Sequence, residues 1–124
     1  MAGNLPPLRH AEKVQQRAAS VGFDWDKPDD IIAKLREEVD ELDAALKSGN
    51  RDDIEHETGD LLFSIVNVTR FLQLSADTAL EKSTSKFIHR FQAMENLIKA
   101  DDKKLPDMTL AEMDEYWDRV KASE

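Results

Sequence analysis

One stretch limits the possible folds more than any other, the segment from Arg51 to Leu72. Wound at 3.6 residues per turn, it gathers Glu57, Asp60, Ser64 and Asn67 on one narrow stripe, while Leu61, Leu62, Phe63, Ile65, Val66 and Val68 cover nearly all the rest. A helix lying on a protein surface carries a broad polar face. This one does not, so the pattern predicts a helix buried on most sides, with two carboxylates turned into a polar seam. Carboxylates in such a seam are costly unless paired or metal-bound. The stripe alone leaves both partners open, a Lys or Arg from a neighbouring helix or a metal ion.

The rest of the chain is punctuated for helices. Pro6 and Pro7 precede LRHAEKVQQRAAS, which Gly22 closes. Pro28, Asp29 and Asp30 open a second helix, in which Ile32, Leu35, Val39, Leu42 and Leu46 recur at steps of three and four until Ser48 and Gly49. Asn50 is placed to cap the third helix, and Ser75 a fourth from about Ala76 to Ala100. After the polar break DDKKLPDM, Thr109 and Glu112 form a capping box for a last short helix. No stretch alternates with period two and no internal repeat is found. The expected fold class is all-α, four to five helices forming a bundle. One domain is expected over 1–124, with a structured core from about 8 to 121. A chain this short buries a modest core alone, so completion of the bundle by a second copy is expected.

Charge and composition remove several function classes. With 26 acidic against 17 basic residues the net charge is -9, which disfavours nucleic acid and anionic membrane surfaces as partners. The absence of cysteine excludes disulfides, thiolate zinc sites and cysteine nucleophiles. The longest apolar run, Leu61 to Leu72, is interrupted by polar residues and is too short to span a bilayer. The opening MAGNLPPLRH lacks the apolar core of a signal peptide, so a cytoplasmic location is expected.

The second helix carries Glu37, Glu38, Asp40, Glu41 and Asp43. Glu38 and Glu41 flank its apolar face, but Asp43 lies as close on the other flank, so the wheel does not select the pair. Acid pairs spaced by three are also common, about five being expected by chance at this composition. The combination says more. A tight reversal at Gly49 and Asn50 lets Glu38 and Glu41 face Glu57 and Asp60 across two antiparallel helices. Four converging carboxylates stay ionised together only around divalent cations, and all-oxygen ligands favour Mg²⁺, or Mn²⁺ in its place, over zinc. His56 is read as pointing elsewhere, and His10 and His89 as surface or packing residues. Lys82, Lys86 and Arg90 recur every four residues on the fourth helix, either as a solvated basic edge or as a clamp on phosphates. Trp25 and Trp117 are more often core packing than a base-stacking platform. No Walker-type glycine loop occurs.

At these residues the chain resembles the MazG-type nucleoside triphosphate pyrophosphohydrolases of the all-α NTP pyrophosphatase superfamily. KLREEVDEL resembles the first acidic motif, E-x-x-E, at Glu38 and Glu41. ETGDLLFSIVNVTRFL resembles the second, E-x-x-D, at Glu57 and Asp60, followed by the family's Asn at Asn67. KFIHRF resembles the basic motif and LAEMDEYWDRVK the C-terminal segment, while AEKVQQRAASVGFDW resembles the opening of the second repeat in longer members. Together these segments cover about residues 8 to 121. Two departures stand out: some relatives carry a lysine where this chain has Asp53, and longer members have two tandem domains where this chain has one, as a stand-alone member or a fragment.

The resemblance implies a Mg²⁺-dependent hydrolase that converts a nucleoside triphosphate to the monophosphate and pyrophosphate, in housecleaning of the nucleotide pool. It implies Glu38, Glu41, Glu57 and Asp60 as metal ligands, with a glutamate of the first pair, preferably Glu38, as general base. Asn67, Lys86, Arg90 and Trp117 become substrate-binding residues, and the architecture a homodimer or higher homo-oligomer. A narrow dUTP or dCTP pyrophosphatase of the same fold is the alternative within the class. A non-catalytic helical interaction domain and a di-iron carboxylate bundle are the alternatives outside it.

Overall fold

Prolines open the first two helices, polar caps open the later three, and a left-handed residue follows each of the first four. A computed structural model describes residues 5–124. It holds α1 (Pro7–Ser20), α2 (Pro28–Ser48), α3 (Arg51–Phe71), α4 (Ala76–Ala100) and α5 (Leu110–Ala122), with a short 3₁₀ turn at Leu105–Asp107. No strand occurs among the described residues, so the all-α expectation holds. Residues 1–4 of the expected domain lie outside the described residues. The 3₁₀ turn is an element the sequence reading lacks; it forms inside the polar break, where Pro106 suits a tight turn.

The caps explain the boundaries. Thr109 accepts from Glu112 N at 3.2 Å while the Glu112 side chain accepts from Thr109 N at 3.0 Å, the reciprocal bonding expected at α5. Ser75 Oγ accepts from Thr78 N at 3.2 Å at the start of α4. Beyond α3 and α4 the chain turns through Gln73 (φ 60°) and Asp102 (φ 57°), both left-handed. Leu74 N then donates back to Thr69 O at 2.8 Å and Lys103 N to Ile98 O at 3.1 Å, which satisfies carbonyls the helices leave open.

The chain divides into two compact units, Met1–Ala79 and Leu80–Glu124. In the first, α3 packs chiefly on α2 and more lightly on α1. Gln15 is buried and donates from Nε2 to Phe63 O at 2.9 Å, pinning α1 to α3. Ile31, Ala45 and Val66 are buried here. The expectation that α3 is enclosed on most sides does not hold within one chain: Leu62, Phe63 and Ile65 remain 52%, 45% and 43% exposed. The reason is that α1 and α2 cover one side of α3 and leave its outer apolar residues uncovered.

The second unit has a contiguous core of Met94, Ile98, Tyr116 and Val120, flanked by Phe91, Leu97, Leu105 and Met108. Tyr116 buries its ring and donates its hydroxyl to Asp101 Oδ2 at 2.6 Å. The cationic heads of Lys103 and Arg119 lie 5.6 and 5.0 Å from the centre of the same ring.

Candidate metal centre

The turn between α2 and α3 sets the site by counting. Gly49 ends α2 with φ at 74°, a conformation easy for glycine, and Asn50 caps α3 by accepting from Asp53 N at 3.1 Å. The chain reverses over these two residues, so positions equally far from Gly49 come abreast on the two helices. Glu41 and Glu57 are each eight residues from Gly49, and Glu38 and Asp60 each eleven. Asp53, at the position where some relatives carry lysine, sits in the first turn of α3, where a negative charge complements the helix dipole.

Three of the four acids converge. One carboxylate oxygen from each of Glu38, Glu41 and Glu57 lies within 4.8 Å of the others. The Glu38 charge, and after it the contact with Glu57, holds the Glu41 carboxyl above its ordinary 4.5. Glu38 is 4% exposed, and its Oε1 accepts from Lys34 Nζ at 2.9 Å. That bond, strengthened by the charges of Glu38, Glu37 and Glu41, raises the Lys34 pKa. Glu38 Oε2 and Glu57 Oε2 are buried and accept no hydrogen bond. Three carboxylates against one ammonium, with two of their oxygens buried and bare, form a site that a hard divalent cation fits, since it supplies both the missing charge and the missing partner.

Asp60 falls in a different group. Its Oδ2 lies 3.4 Å from His56 Nε2, and these two with Glu57 form a second cluster whose ligand atoms are all within 4.8 Å. Glu57 belongs to both clusters. The reading of His56 as turned away is therefore corrected: four residues before Asp60, it lies on the same edge of α3.

Asn67 is held by a residue the motif reading passed over. Arg70 donates to Asn67 Oδ1 from Nε at 3.0 Å and from Nη2 at 2.7 Å, and pairs with Asp24 at 2.6 Å. The Arg70 hydrogen bond holds the Asp24 carboxyl below its ordinary value. Asn67 is thus left with its amide N–H groups as donors toward a ligand. The spacing of three between Asn67 and Arg70 was a usable signal, as was that of four between Lys34 and Glu38.

The remaining candidates lie in the second unit. Lys82 and Lys86 are exposed. Arg90 grips the Glu124 carboxylate through Nε at 2.9 Å and Nη2 at 2.7 Å, which lowers the Glu124 pKa. Trp117 is half-buried, its ring 5.5 Å from that of Phe87, which stacks in turn on Phe91 at 5.9 Å.

Comparison with known proteins agrees with the family resemblance. Residues 26–94 match the MazG nucleotide pyrophosphohydrolase domain. The chain is 42% identical over 120 residues to the nucleoside triphosphate pyrophosphohydrolase/pyrophosphatase MazG of Thermotoga maritima, covering 97% of this chain and 46% of that protein. It is 38% identical over 123 residues to the nucleoside triphosphate pyrophosphohydrolase of Escherichia coli K12, covering 98% and 47%. An uncharacterized protein of Bacillus subtilis, YabN, matches at 38% over 71 residues, 57% of this chain and 14% of that one. The chain spans about half the length of the first two relatives.

Proposed function

From the premise that the chain belongs to the MazG nucleotide pyrophosphohydrolase domain family, we propose that it hydrolyses a nucleoside triphosphate to the monophosphate and pyrophosphate, in a Mg²⁺-dependent reaction. One observation carries this reading: Glu38, Glu41 and Glu57 meet with two buried oxygens that lack any partner. Glu38, Glu41, Glu57 and, through its link to Glu57, Asp60 would hold the cation. When bound, a divalent cation offsets triphosphate charge and lowers the pKa of an attacking water. Of the first pair Glu38, whose carboxylate Lys34 orients through Oε1, is the preferred general base and would take the water's proton. A residue coordinated to metal is a poor nucleophile, so water attacks phosphorus directly and pyrophosphate leaves. Asn67 donates to the nucleotide from an amide oriented by Arg70.

Lys86, Arg90 and Trp117 enter the reading through the family motifs, as phosphate and base contacts; Arg90 must exchange Glu124 for phosphate to serve. The half-exposed Leu62, Phe63 and Ile65 on α3 and Val39 on α2 support a homodimer, since an apolar surface of this kind is stable when covered. Among the described residues no helix is long and apolar enough to cross a membrane. The reading makes the protein one functional domain, a cytoplasmic housecleaning enzyme of the nucleotide pool.

Product analysis of a nucleotide panel with and without Mg²⁺ tests the proposal. Monophosphate plus pyrophosphate, formed with metal alone, is the expected outcome. Diphosphate plus phosphate would move the cleaved bond and refute the assignment. No product with any metal would leave a non-catalytic helical domain.

A further inference from the structure

We infer that the cleft between α1 and the C-terminal end of α3 receives the nucleobase, and that Glu12 makes it favour adenine and cytosine over hypoxanthine and uracil. Placing a base there rests on the nucleotide reading of the protein and extends it to substrate choice. The cleft measures about 460 Å³ and is lined by Glu12, Gln16 and Ala19 on α1 and by Arg70, Gln73 and Ser75 opposite them. Sites for small molecules usually span about 300 to 1,000 Å³. None of these residues belongs to the acid clusters.

Arg70 ties the cleft to the acids. Its side chain is only 9% exposed. It reaches Asn67 Oδ1 from Nε and Nη2, and the Asp24 carboxylate from Nη1 at 3.3 Å and Nη2 at 2.6 Å. These bonds occupy four of the five guanidinium N–H groups and leave one on Nη1. Along α3, a rise of about 1.5 Å per residue puts Asn67 about 10 Å and Arg70 about 15 Å beyond Asp60. A nucleotide with its phosphates at the acids covers that distance when extended, with its sugar at Asn67 and its base at the cleft.

The polar groups of the cleft set which base fits. Glu12 is half-buried, and its Oε1 accepts one long hydrogen bond, from Gln16 Nε2 at 3.4 Å. Among the described residues it forms no ion pair. An ionised carboxylate only accepts, whereas the open Arg70 N–H donates, as does the Ser75 hydroxyl, whose oxygen accepts from Thr78 N at 3.2 Å. An acceptor beside donors matches adenine and cytosine, which carry an amine next to a ring-nitrogen acceptor. Hypoxanthine and uracil carry the reverse there, a keto oxygen next to a ring N–H. In the same pose they set that oxygen against the Glu12 carboxylate, and neither finds a partner.

The test compares kcat/KM of the full chain with Mg²⁺ on two substrate pairs that differ at this edge, ATP with ITP and CTP with UTP. Wild type should favour the amine member of each pair by about ten-fold or more, through KM. Glu12→Gln replaces the carboxylate by an amide that donates as readily as it accepts, and should bring both ratios within about two-fold of one. Ala19→Leu fills the cleft with a helix-favouring side chain. It should raise KM for all four substrates by about ten-fold or more, with thermal melts and Mg²⁺ affinity by calorimetry as in wild type. Equal rates on both members of each pair, ratios that Glu12→Gln leaves unchanged, or a wild-type KM in folded Ala19→Leu overturns the inference while hydrolysis itself stands. Absence of hydrolysis of all four removes the nucleotide reading and the inference with it.

Discussion

The α2–α3 hairpin and the α4–α5 unit satisfy their polar groups in opposite ways. In the second unit each charged or polar group near the core has found a partner: Tyr116 with Asp101, Arg90 with Glu124, Thr109 with Glu112. In the hairpin, Glu38 and Glu57 keep bare buried oxygens and Glu41 is pressed by like charge. A protein tolerates such frustration where something outside the chain relieves it. The contrast marks the hairpin as the part of the chain that calls for a ligand, without reference to any relative.

The strongest way to break that comparison is to swap the outcomes. Glu57→Gln should lower Mg²⁺-dependent hydrolysis by at least about 100-fold, yet leave the metal-free chain as stable as before or more so, because one repelling charge is gone. Rates and thermal melts on one preparation read both, and a large loss of stability would make Glu57 a structural residue. Ile98→Ala is the converse. Ile98 is 2% exposed at the centre of the second core, so its truncation should cost about 3 kcal/mol by denaturant melts. Mg²⁺ affinity, measured by calorimetry below the melt, should not move.

Acid sharpens the same division. The Glu41 carboxyl is raised in the folded chain, so folding favours its protonated form. Its contribution therefore grows as pH falls toward its ordinary 4.5, and it is lost as pH rises through the raised value. Asp24, Glu112 and Glu124 are lowered, so their stabilisation is present above their ordinary values and disappears only as pH drops through the lowered ones. The metal-free protein should gain melting temperature as pH falls from neutrality toward the ordinary 4.5 of Glu41 and lose it again in stronger acid. Saturating Mg²⁺ should erase the gain; a gain that persists with metal would separate Glu41 from the cation site.

Smaller effects concern local chemistry. Thr109→Ala should cost about 1 kcal/mol by removing the α5 cap. Gln73→Gly should stabilise by about 0.5 kcal/mol, since Gln73 holds a left-handed φ of 60° that glycine adopts freely. Melts of both variants check the sign, and a loss for Gln73→Gly would mean that the Gln73 side chain contributes more than its backbone costs.

Helix existence and ends were legible because their causes are local: Pro28, Gly49, Asn50, Ser75 and Thr109 act on their own neighbours. The acid pairs were legible because a spacing of three keeps two side chains on one face. What spacing could not convey was the choice among partners. Whether Asp60 reaches Glu38 depends on the rotation of α3 against α2, and no residue type records that angle, whereas its approach to His56 follows from their spacing of four. The enclosure expected for α3 failed for a related reason: an apolar wheel shows that a surface needs covering but not by which chain. Lys34 and Arg70 carried usable spacings, yet a charge four residues from an acid is ordinary on any helix.

The equal count on either side of Gly49 has a consequence for how such a chain can vary in length. The loop from 21 to 27 and the break from 101 to 109 join helices with residues to spare, so an insertion there can bulge outward and be absorbed. The α2–α3 connection has no slack, with a left-handed residue and a helix cap back to back. An extra residue inside either arm would advance the helix by about 100° between the turn and the acids and carry a carboxylate off the shared face. Lengthening of a chain built this way belongs in its other connections, and the interval from Glu38 to Asp60 keeps its residue count.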